Sequence, residues 1–442
     1  MTGPIARRLC DFLDASPTAY HAVDSIAAIL EAQGARRLDE RNAWELEPGL
    51  PCFVVRGGSA LIAFRPGLLS PRETGFALAG AHTDSPALKV RMEKALSGKG
   101  HERVAVEVYG SPILSTWPDR PLALAGRVAI RSASGGGAPE LRLVNRAAPV
   151  GVVPNLAIHL NREVNKGFEL NAQTHLPVLV AAGEEYDEAE EEGKGGPSWV
   201  RRLLAAELGV EPDAILGSDL YFVDAQHSSV FGQDGQLVNA HRLDDLLGCH
   251  AILEAFIEAG PARHGQVACF LDNEEIGSRT MRGADSSFIR DTLGRICALQ
   301  GCGTEDFYRS LASSFSVSVD VAQAWHPSYA EKFDEAFAPL VGRGPAIKAN
   351  ANFKYATDAE GEARFRLISA QAGIDCQKYM SRADIPPGST IGPMSSSLTG
   401  IATVDVGAPL LSMHSIRETA SLRDHEQMVA VLAAHLKSPP RL

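Results

Sequence analysis

Two adjacent glutamates, Glu274 and Glu275, follow directly on an apolar run in the stretch VACFLDNEEIGS, Val267–Ser278. Buried like charges repel and lose hydration, so such a pair is costly unless a cation neutralises it. A metal ion with one glutamate as ligand and its neighbour as base would meet that need; the alternative is a solvated acidic turn. Similar settings recur at the ends of expected strands or at a helix entrance: His82 with Asp84, Asp244, Asp320 and His414. Taken singly each has a plainer role, since Asp244 suits a helix N-cap and Asp320 a turn cap. Together they supply two imidazoles, three carboxylates and a spare glutamate. That inventory suits two divalent ions sharing a bridging carboxylate, with positions left for water and substrate. Asp84, two residues from His82, is close enough to accept its second ring N–H and fix its tautomer. Glu274 would take the proton of a metal-bridging water, whose pKa metal ions lower toward ~7. There is no GxSxG motif and no cysteine in a reactive-looking context, so side-chain nucleophilic catalysis is the weaker account.

For these groups to meet, several strand ends must converge. Val267–Leu271 reads as a strand buried on both faces, as in a parallel sheet, where ligands bind at the carboxyl ends. Phe76–Ala81 is a second strand and runs straight into His82; SFSVSVD (314–320) is a third and ends on Asp320. Ala346–Lys348, Ile374–Tyr379 and Ala402–Val406 add short strands, and PCFVVRGGSALIAF (51–64) a hairpin turning at Gly57-Gly58. Helical spacing appears in Ile5, Leu9, Phe12 and Leu13, then in Val23, Ile26 and Leu30 before Gly34. It returns at Val200–Leu208, at Leu246–Ile257 behind two aspartates that suit the helix dipole, and at Phe288–Leu299 and Phe307–Leu311. The segment Met413–Glu418 is expected to open a C-terminal helix.

Strands alternating with helices in the outer parts imply an α/β fold, a mixed sheet flanked by helices on both faces. From Arg91 the character changes to Gly- and Pro-rich, short alternating segments such as VAVEV (104–108) and LRLV (141–144), which suggest antiparallel β structure. The interval from His82 to Asp244 far exceeds a single crossover, which with both strands takes roughly 30 residues or more. The catalytic domain is therefore read as discontinuous, 1–91 plus 234–442, with a β-rich domain inserted at 92–233. EEYDEAEEE (184–192), extended by Gly193–Gly196, reads as an exposed acidic loop without chemistry.

A chain of 442 residues is long enough for two or three domains, and 45% hydrophobic with 22% charged residues is ordinary for a globular protein. A net charge of −12 argues against nucleic acid or an anionic membrane as partner. No apolar stretch approaches the ~20 residues of a membrane span, and the N-terminal MTGPIARRLCDFLD turns acidic before any apolar core of signal-peptide length. Seven scattered cysteines without CxxC suit reduced thiols in a cytoplasmic protein.

The segments GAHTDSPALKVR (80–91), RLDD (242–245), LDNEEIGS (271–278), SVDVAQAWHPSY (318–329), GSTIGP (388–393) and MHSIRE (413–418) carry a resemblance. In order and over essentially the whole chain, they resemble the aspartyl aminopeptidase family of dinuclear metallopeptidases. The resemblance implies a β-rich domain used in subunit contacts, a tetrahedral dodecamer, and release of N-terminal acidic residues from short peptides. It implies that Asp244 bridges two metal ions, one held by His82 and Asp320, the other by Glu275 and His414. Glu274 becomes the general acid/base and Asp84 the orienter of His82. His159, in LAIHLNR (156–162), corresponds to a histidine that reaches a neighbouring subunit's active site; His326 lies near the substrate. Lys348 and Tyr355 match positions facing the substrate's side-chain carboxylate, where a secluded cation favours an acidic residue. Two positions depart from the family pattern, Asp245 where Asn is common and Gln323 where His is common, and both bear on how strict that preference is.

The expected function is thus a metal-dependent aminopeptidase that uses two divalent ions, zinc with cobalt or manganese as substitutes, to cleave acidic first residues. An amidohydrolase or deacylase of small N-acyl compounds is the rival on the same fold. A metal-binding scaffold without turnover is the rival from another class, and Glu274 speaks against it, since such a shell needs no base.

Overall fold

The computed structural model describes residues 3–132, 137–167, 169–186 and 197–438. The chain divides into two compact units, one of Met1–Ser85, Ser228–Met413 and Glu418–Leu442, the other of Pro86–His227 and His414–Arg417. These limits differ from the expected ones because Ala87–Gly98 is already a strand of the inserted sheet, while Ser229–Phe231 pairs with Leu237–Ala240 in the first unit. The four residues His414–Arg417, expected with the catalytic part, group with the insert.

The first unit is built on a mixed sheet, nine-stranded among the described residues. Its order is Arg36–Leu38, Cys52–Arg56, Ala60–Arg65, Gly265–Leu271, Phe76–His82, Phe315–Val319, Ala402–Gly407, Ala346–Lys348 and Gln377–Tyr379. The four strands from Gly265–Leu271 to Ala402–Gly407 are mutually parallel. The hairpin Cys52–Arg65 turns at Gly57 and Gly58, whose φ of +62° and +80° a side chain would strain.

Period-two alternation divides the strand side chains between two cores. Ala77, Ala79, Ala81, Ala268 and Phe270 face the helices Pro4–Ala15, Ala19–Ala32, Leu243–Ala259, Ala359–Gln371 and Leu422–Lys437. Phe76, Leu78, Val267, Cys269 and Leu271 face Phe288–Leu299, Thr304–Ala312 and Ile391–Thr399. With both faces covered, the central strands are apolar throughout, which is why they read as unbroken runs. Each large side chain so buried stabilises by roughly 1.5–3 kcal/mol.

A second, five-stranded sheet of this unit runs Ser229–Phe231, Leu237–Ala240, Glu418–Ser421, Pro409–Leu411 and Ala322–Gln323. It corrects one expectation: the C-terminal helix begins at Leu422, because Glu418–Ser421 is engaged as a strand with Leu237–Ala240. The expected strand Ile374–Tyr379 shortens to Gln377–Tyr379. The helices Ala359–Gln371 and Ile391–Thr399 were not expected; the first starts at Asp358, whose side chain accepts the Gly361 N–H.

The second unit holds an antiparallel sheet, six-stranded among the described residues, ordered Glu140–Gly151, Leu122–Ile130, Ile215–Asp224, Ala87–Gly98, His101–Tyr109 and Val178–Ala182. Leu88, Val104, Leu124, Val128 and Phe222 pack with Trp117 and with Leu204 of the helix Trp199–Leu208. Of the acidic run, Glu184–Tyr186 forms a single 3₁₀ turn; 187–192 and the glycine extension 193–196 lie outside the described residues. Among the described residues, no helix is long and apolar enough to cross a membrane.

Candidate metal centre

Three neighbouring parallel strands deliver the site. Leu271 is in register with His82, and Ser318 with Gly80, so His82, the Glu274-Glu275 turn and Asp320 all leave the sheet at its carboxyl-end edge. Asp244 arrives from the entrance of the helix Leu243–Ala259. One ligand atom each from His82, Asp244 and Asp320 lie within 4.8 Å of one another, and all three residues are buried. His82, Glu274 and Glu275 meet the same limit. His82 Nε2 stands 3.2 Å from Asp244 Oδ1.

The backbone around this cluster is tied down by carboxylates. His82 Nδ1 lies 3.0 Å from the backbone oxygen of Asp84 and 3.6 Å from its Oδ1. A carbonyl can only accept, so Nδ1 carries a proton and Nε2 is the atom turned to Asp244. Asp84 thus orients His82 chiefly through its main chain, while its carboxylate accepts the N–H groups of Glu274 (3.0 Å) and Glu275 (3.2 Å). Glu418 Oε2 accepts the Asp244 N–H at 2.9 Å, and Ser85 Oγ donates to the Asp244 carbonyl at 2.6 Å. Asp245 accepts from His82 N at 3.3 Å and from Gly248 N at 3.2 Å. A Cβ at Gly248 would stand 2.4 Å from Asp245 Oδ1, so only glycine leaves room for that carboxyl group.

Electrostatics follow from burial and crowding. Burial first, then the charges of Asp320, Glu275 and Asp84, push the Glu274 carboxyl up to about 9. Asp320 is raised by burial against the pull of Lys348, and Asp245 is raised well above its usual range, again chiefly by burial. Burial disfavours the charged form of His82, yet the Asp244 and Asp84 carboxylates outweigh it and hold that imidazole well above its usual value. Imidazole nitrogen and carboxylate oxygens gathered at this spacing match the donors that a divalent, zinc-like ion prefers.

His414 is described with its own unit. Its Nδ1 lies 2.9 Å from the Ser111 carbonyl, the same backbone device seen at His82. The segment is held further by Ile113 N to His414 O (2.8 Å) and Ile416 N to Thr116 Oγ1 (3.0 Å).

Of the expected substrate residues, Lys348 and Tyr355 are buried together, the ammonium 4.9 Å from the ring centroid, and Tyr355 packs edge-on to Tyr379. His326 is half-buried beside Tyr329, its Nδ1 accepting the Ser328 N–H. His159 is exposed on a turn of the second unit between Leu156, Ile158 and Leu160, themselves exposed. Glu418 was not singled out from the sequence, although MHSIRE contains it; its partner is a backbone N–H, which leaves no trace in residue types. Arg242, whose guanidinium donates to the carbonyls of Ser16 and Thr83, was passed over for the same reason.

A parallel-centred α/β sheet whose strand ends gather buried imidazole and carboxylates defines a metal-dependent hydrolase. The sequence model of the family described as Aminopeptidase I zinc metalloprotease (M18) matches residues 12–435. The protein named "Probable M18 family aminopeptidase 2" of Ectopseudomonas mendocina is 41% identical over 443 residues, covering 99% of each chain. That of Pseudomonas aeruginosa is 42% identical over 445 residues, with the same coverage. A chain in the cryo-electron-microscopy structure of the Ape4 and Nbr1 complex superposes with a TM-score of 0.93 at 34% identity, over 98% of this chain and 85% of that one. The Saccharomyces cerevisiae mApe1 dodecamer gives a TM-score of 0.84 at 26% identity, over 98% and 96%. The chain belongs to the M18 family and is a zinc metallo-aminopeptidase.

Proposed function

We propose that this aminopeptidase removes acidic first residues from short peptides with a site for two divalent ions. In this reading Asp244 would contribute to both ions, with His82 and Asp320 as further ligands of one and Glu275 and His414 of the other. Zinc is the resident metal, and cobalt or manganese can replace it, since the same donors suit all three. The observation that carries the reading is the approach of His82, Asp244 and Asp320 ligand atoms to within 4.8 Å.

Ions bound there would polarise the scissile carbonyl and make water acidic enough to ionise near neutral pH. The residues do the rest. Glu274, held by its backbone bond to Asp84, takes a proton from the attacking water and returns it to the leaving amine. His82 and Asp244 keep their places through the Asp84 carbonyl and the Glu418 carboxylate. Lys348 and Tyr355 lend positive charge and a phenol to the pocket that receives the first side chain, with His326 near the peptide and His159 contributed from another subunit. Self-association of M18 chains is supported by the dodecamer formed by the S. cerevisiae relative, and the same assembly is proposed here. A cytoplasmic location is proposed from the unpaired cysteines.

Aspartyl- and leucyl-p-nitroanilide, a dipeptide panel varying the first residue, and N-acetylated controls test this reading with and without chelator. Chelator-sensitive cleavage that favours Asp and Glu and refuses acetylated peptides is expected. Preference for acylated substrates would establish the deacylase reading instead.

A further inference from the structure

Lys348 sits on the strand Ala346–Lys348, in antiparallel register with Asp405 of Ala402–Gly407. Only 4% of its surface is exposed. Its Nζ contacts three oxygens: Asp320 Oδ2 at 3.2 Å, the Asp320 carbonyl at 3.3 Å and the Val321 carbonyl at 3.0 Å. An ammonium has three N–H donors, so these contacts use its full complement. The face of Tyr355 covers a further side at 4.9 Å. A substrate carboxylate could bond to this ammonium only by displacing one of the oxygens.

We propose that Lys348 is a positioning residue for the metal ligand Asp320, gripping both its carboxylate and its backbone. This rests on the two-metal reading above and narrows it: the charge of Lys348 reaches the substrate pocket as a field, while its hydrogen bonds serve the metal. Asp320 follows the last residue of its strand and would otherwise be free to rotate there. One oxygen fixed by Lys348 settles which way the carboxylate faces toward His82 and Asp244. Groups that hold a metal ligand in this manner typically contribute 10–100-fold to metal affinity.

The test compares zinc affinity, by chelator competition, in the wild type, Lys348→Gln and Lys348→Arg. A 10–100-fold weaker zinc Kd is expected in both variants, because glutamine lacks the charge and a planar guanidinium cannot reproduce three-point contact in the same space. The ratio of kcat/KM for aspartyl- over leucyl-p-nitroanilide, at saturating zinc, is expected to fall in Lys348→Gln, which loses the charge, and to hold in Lys348→Arg, which keeps it, so that specificity and zinc affinity are read separately. Zinc affinity within threefold of wild type in Lys348→Gln overturns the proposal, as does full restoration in Lys348→Arg, which would reduce the role to charge alone. Circular dichroism and light scattering check folding, and if the glutamine variant fails to fold, the arginine variant alone decides by the same criterion. A wild type that binds zinc but cleaves no peptide would defeat the proposed function and leave this affinity comparison standing.

Discussion

Glu418 accepts the backbone N–H of Asp244 on Oε2 at 2.9 Å, joining the strand Glu418–Ser421 to the entrance of the helix that carries the proposed metal ligand Asp244. The contact is set by register, since Ala240, four residues before Asp244, pairs with Glu418 across the small sheet. Removing the acceptor leaves a buried N–H unpaired and the Asp244 backbone unheld. Glu418→Ala is expected to weaken zinc binding 10–100-fold and to cost about 1–3 kcal/mol in stability. Glu418→Gln, which still offers a carbonyl oxygen, should lie between. Equal zinc Kd values for all three proteins would show that this bond does not position the ligand.

Asp84 and Glu274 yield a paired prediction. Glu274→Gln keeps the shape of the side chain but removes the base, so kcat should fall by roughly 10²–10⁴ while zinc content holds. Asp84→Asn keeps one oxygen and turns an amide N–H₂ toward the second glutamate N–H, where an acceptor is needed. That loosens the Glu274-Glu275 turn, and kcat should drop by about 10². Wild-type turnover by either variant would remove the role assigned to it.

These two residues also mark how far the sequence can be read. Glu274 was legible because an apolar run ending in paired carboxylates is chemically odd without a cation, and parallel strands buried on both faces announce themselves by composition. The direction of Asp84 was not legible: proximity in sequence suggested that its carboxylate holds the His82 ring, whereas the carbonyl does so at 3.0 Å and the carboxylate supports the glutamate turn. Backbone donors are the same at every residue, so no pattern of side chains reports them. The strand Glu418–Ser421 was mistaken for helix because four residues carry too little periodicity to distinguish the two. His414–Arg417 could not be assigned to the insert from sequence, since three hundred residues separate it from its partners Ser111 and Thr116.

Arg417 and Asp224 of the second unit, whose side chains are 4% and 0% exposed, form an ion pair at 2.8 Å, and Arg417 also donates to the carbonyls of Gln226 and His227. Cutting away the guanidinium would leave the Asp224 carboxylate buried without its partner charge. Arg417→Met is therefore expected to destabilise by about 3–5 kcal/mol, read from denaturant unfolding. Arg417→Lys, with fewer donors, should recover part of this. A change below 1 kcal/mol in Arg417→Met would mean that solvent reaches Asp224.

Interior histidines give the fold a part of its stability that acid removes. Burial above all holds His21 and His435 down to about 4 and His250 to about 3, and His425 well below its ordinary value. His250 and His425 share a hydrogen bond, Nδ1 to Nε2, at 2.9 Å, and His250 packs against Phe12. Glu254 stands 3.6 Å from His250 but is engaged by Arg8, so it does not reverse the effect of burial. The sign follows from proton counting: between pH 6.5 and about 4 the unfolded chain protonates these imidazoles and the native protein does not. The histidine contribution is complete above pH 6.5 and declines on acidification, by up to about 1.4 kcal/mol per pH unit for each group. Asp424 and Asp272, each raised to about 6 mainly by burial, act in the opposite sense over pH 4–6, as do the raised carboxyls of Asp245, Glu274, Asp320 and Asp405, so the histidine contribution is read as a difference between proteins. Unfolding in guanidinium chloride at pH 7.5, 6 and 5, with chelator present throughout, gives the slope for wild type and variant. His250→Phe places a ring that does not titrate beside Phe12 and His425, so the fall from pH 6 to pH 5 should shrink by about 1.4 kcal/mol relative to wild type. Titrating groups that do not touch His250 cancel in that difference, and an unchanged slope in His250→Phe would mean that His250 is already protonated in the native protein.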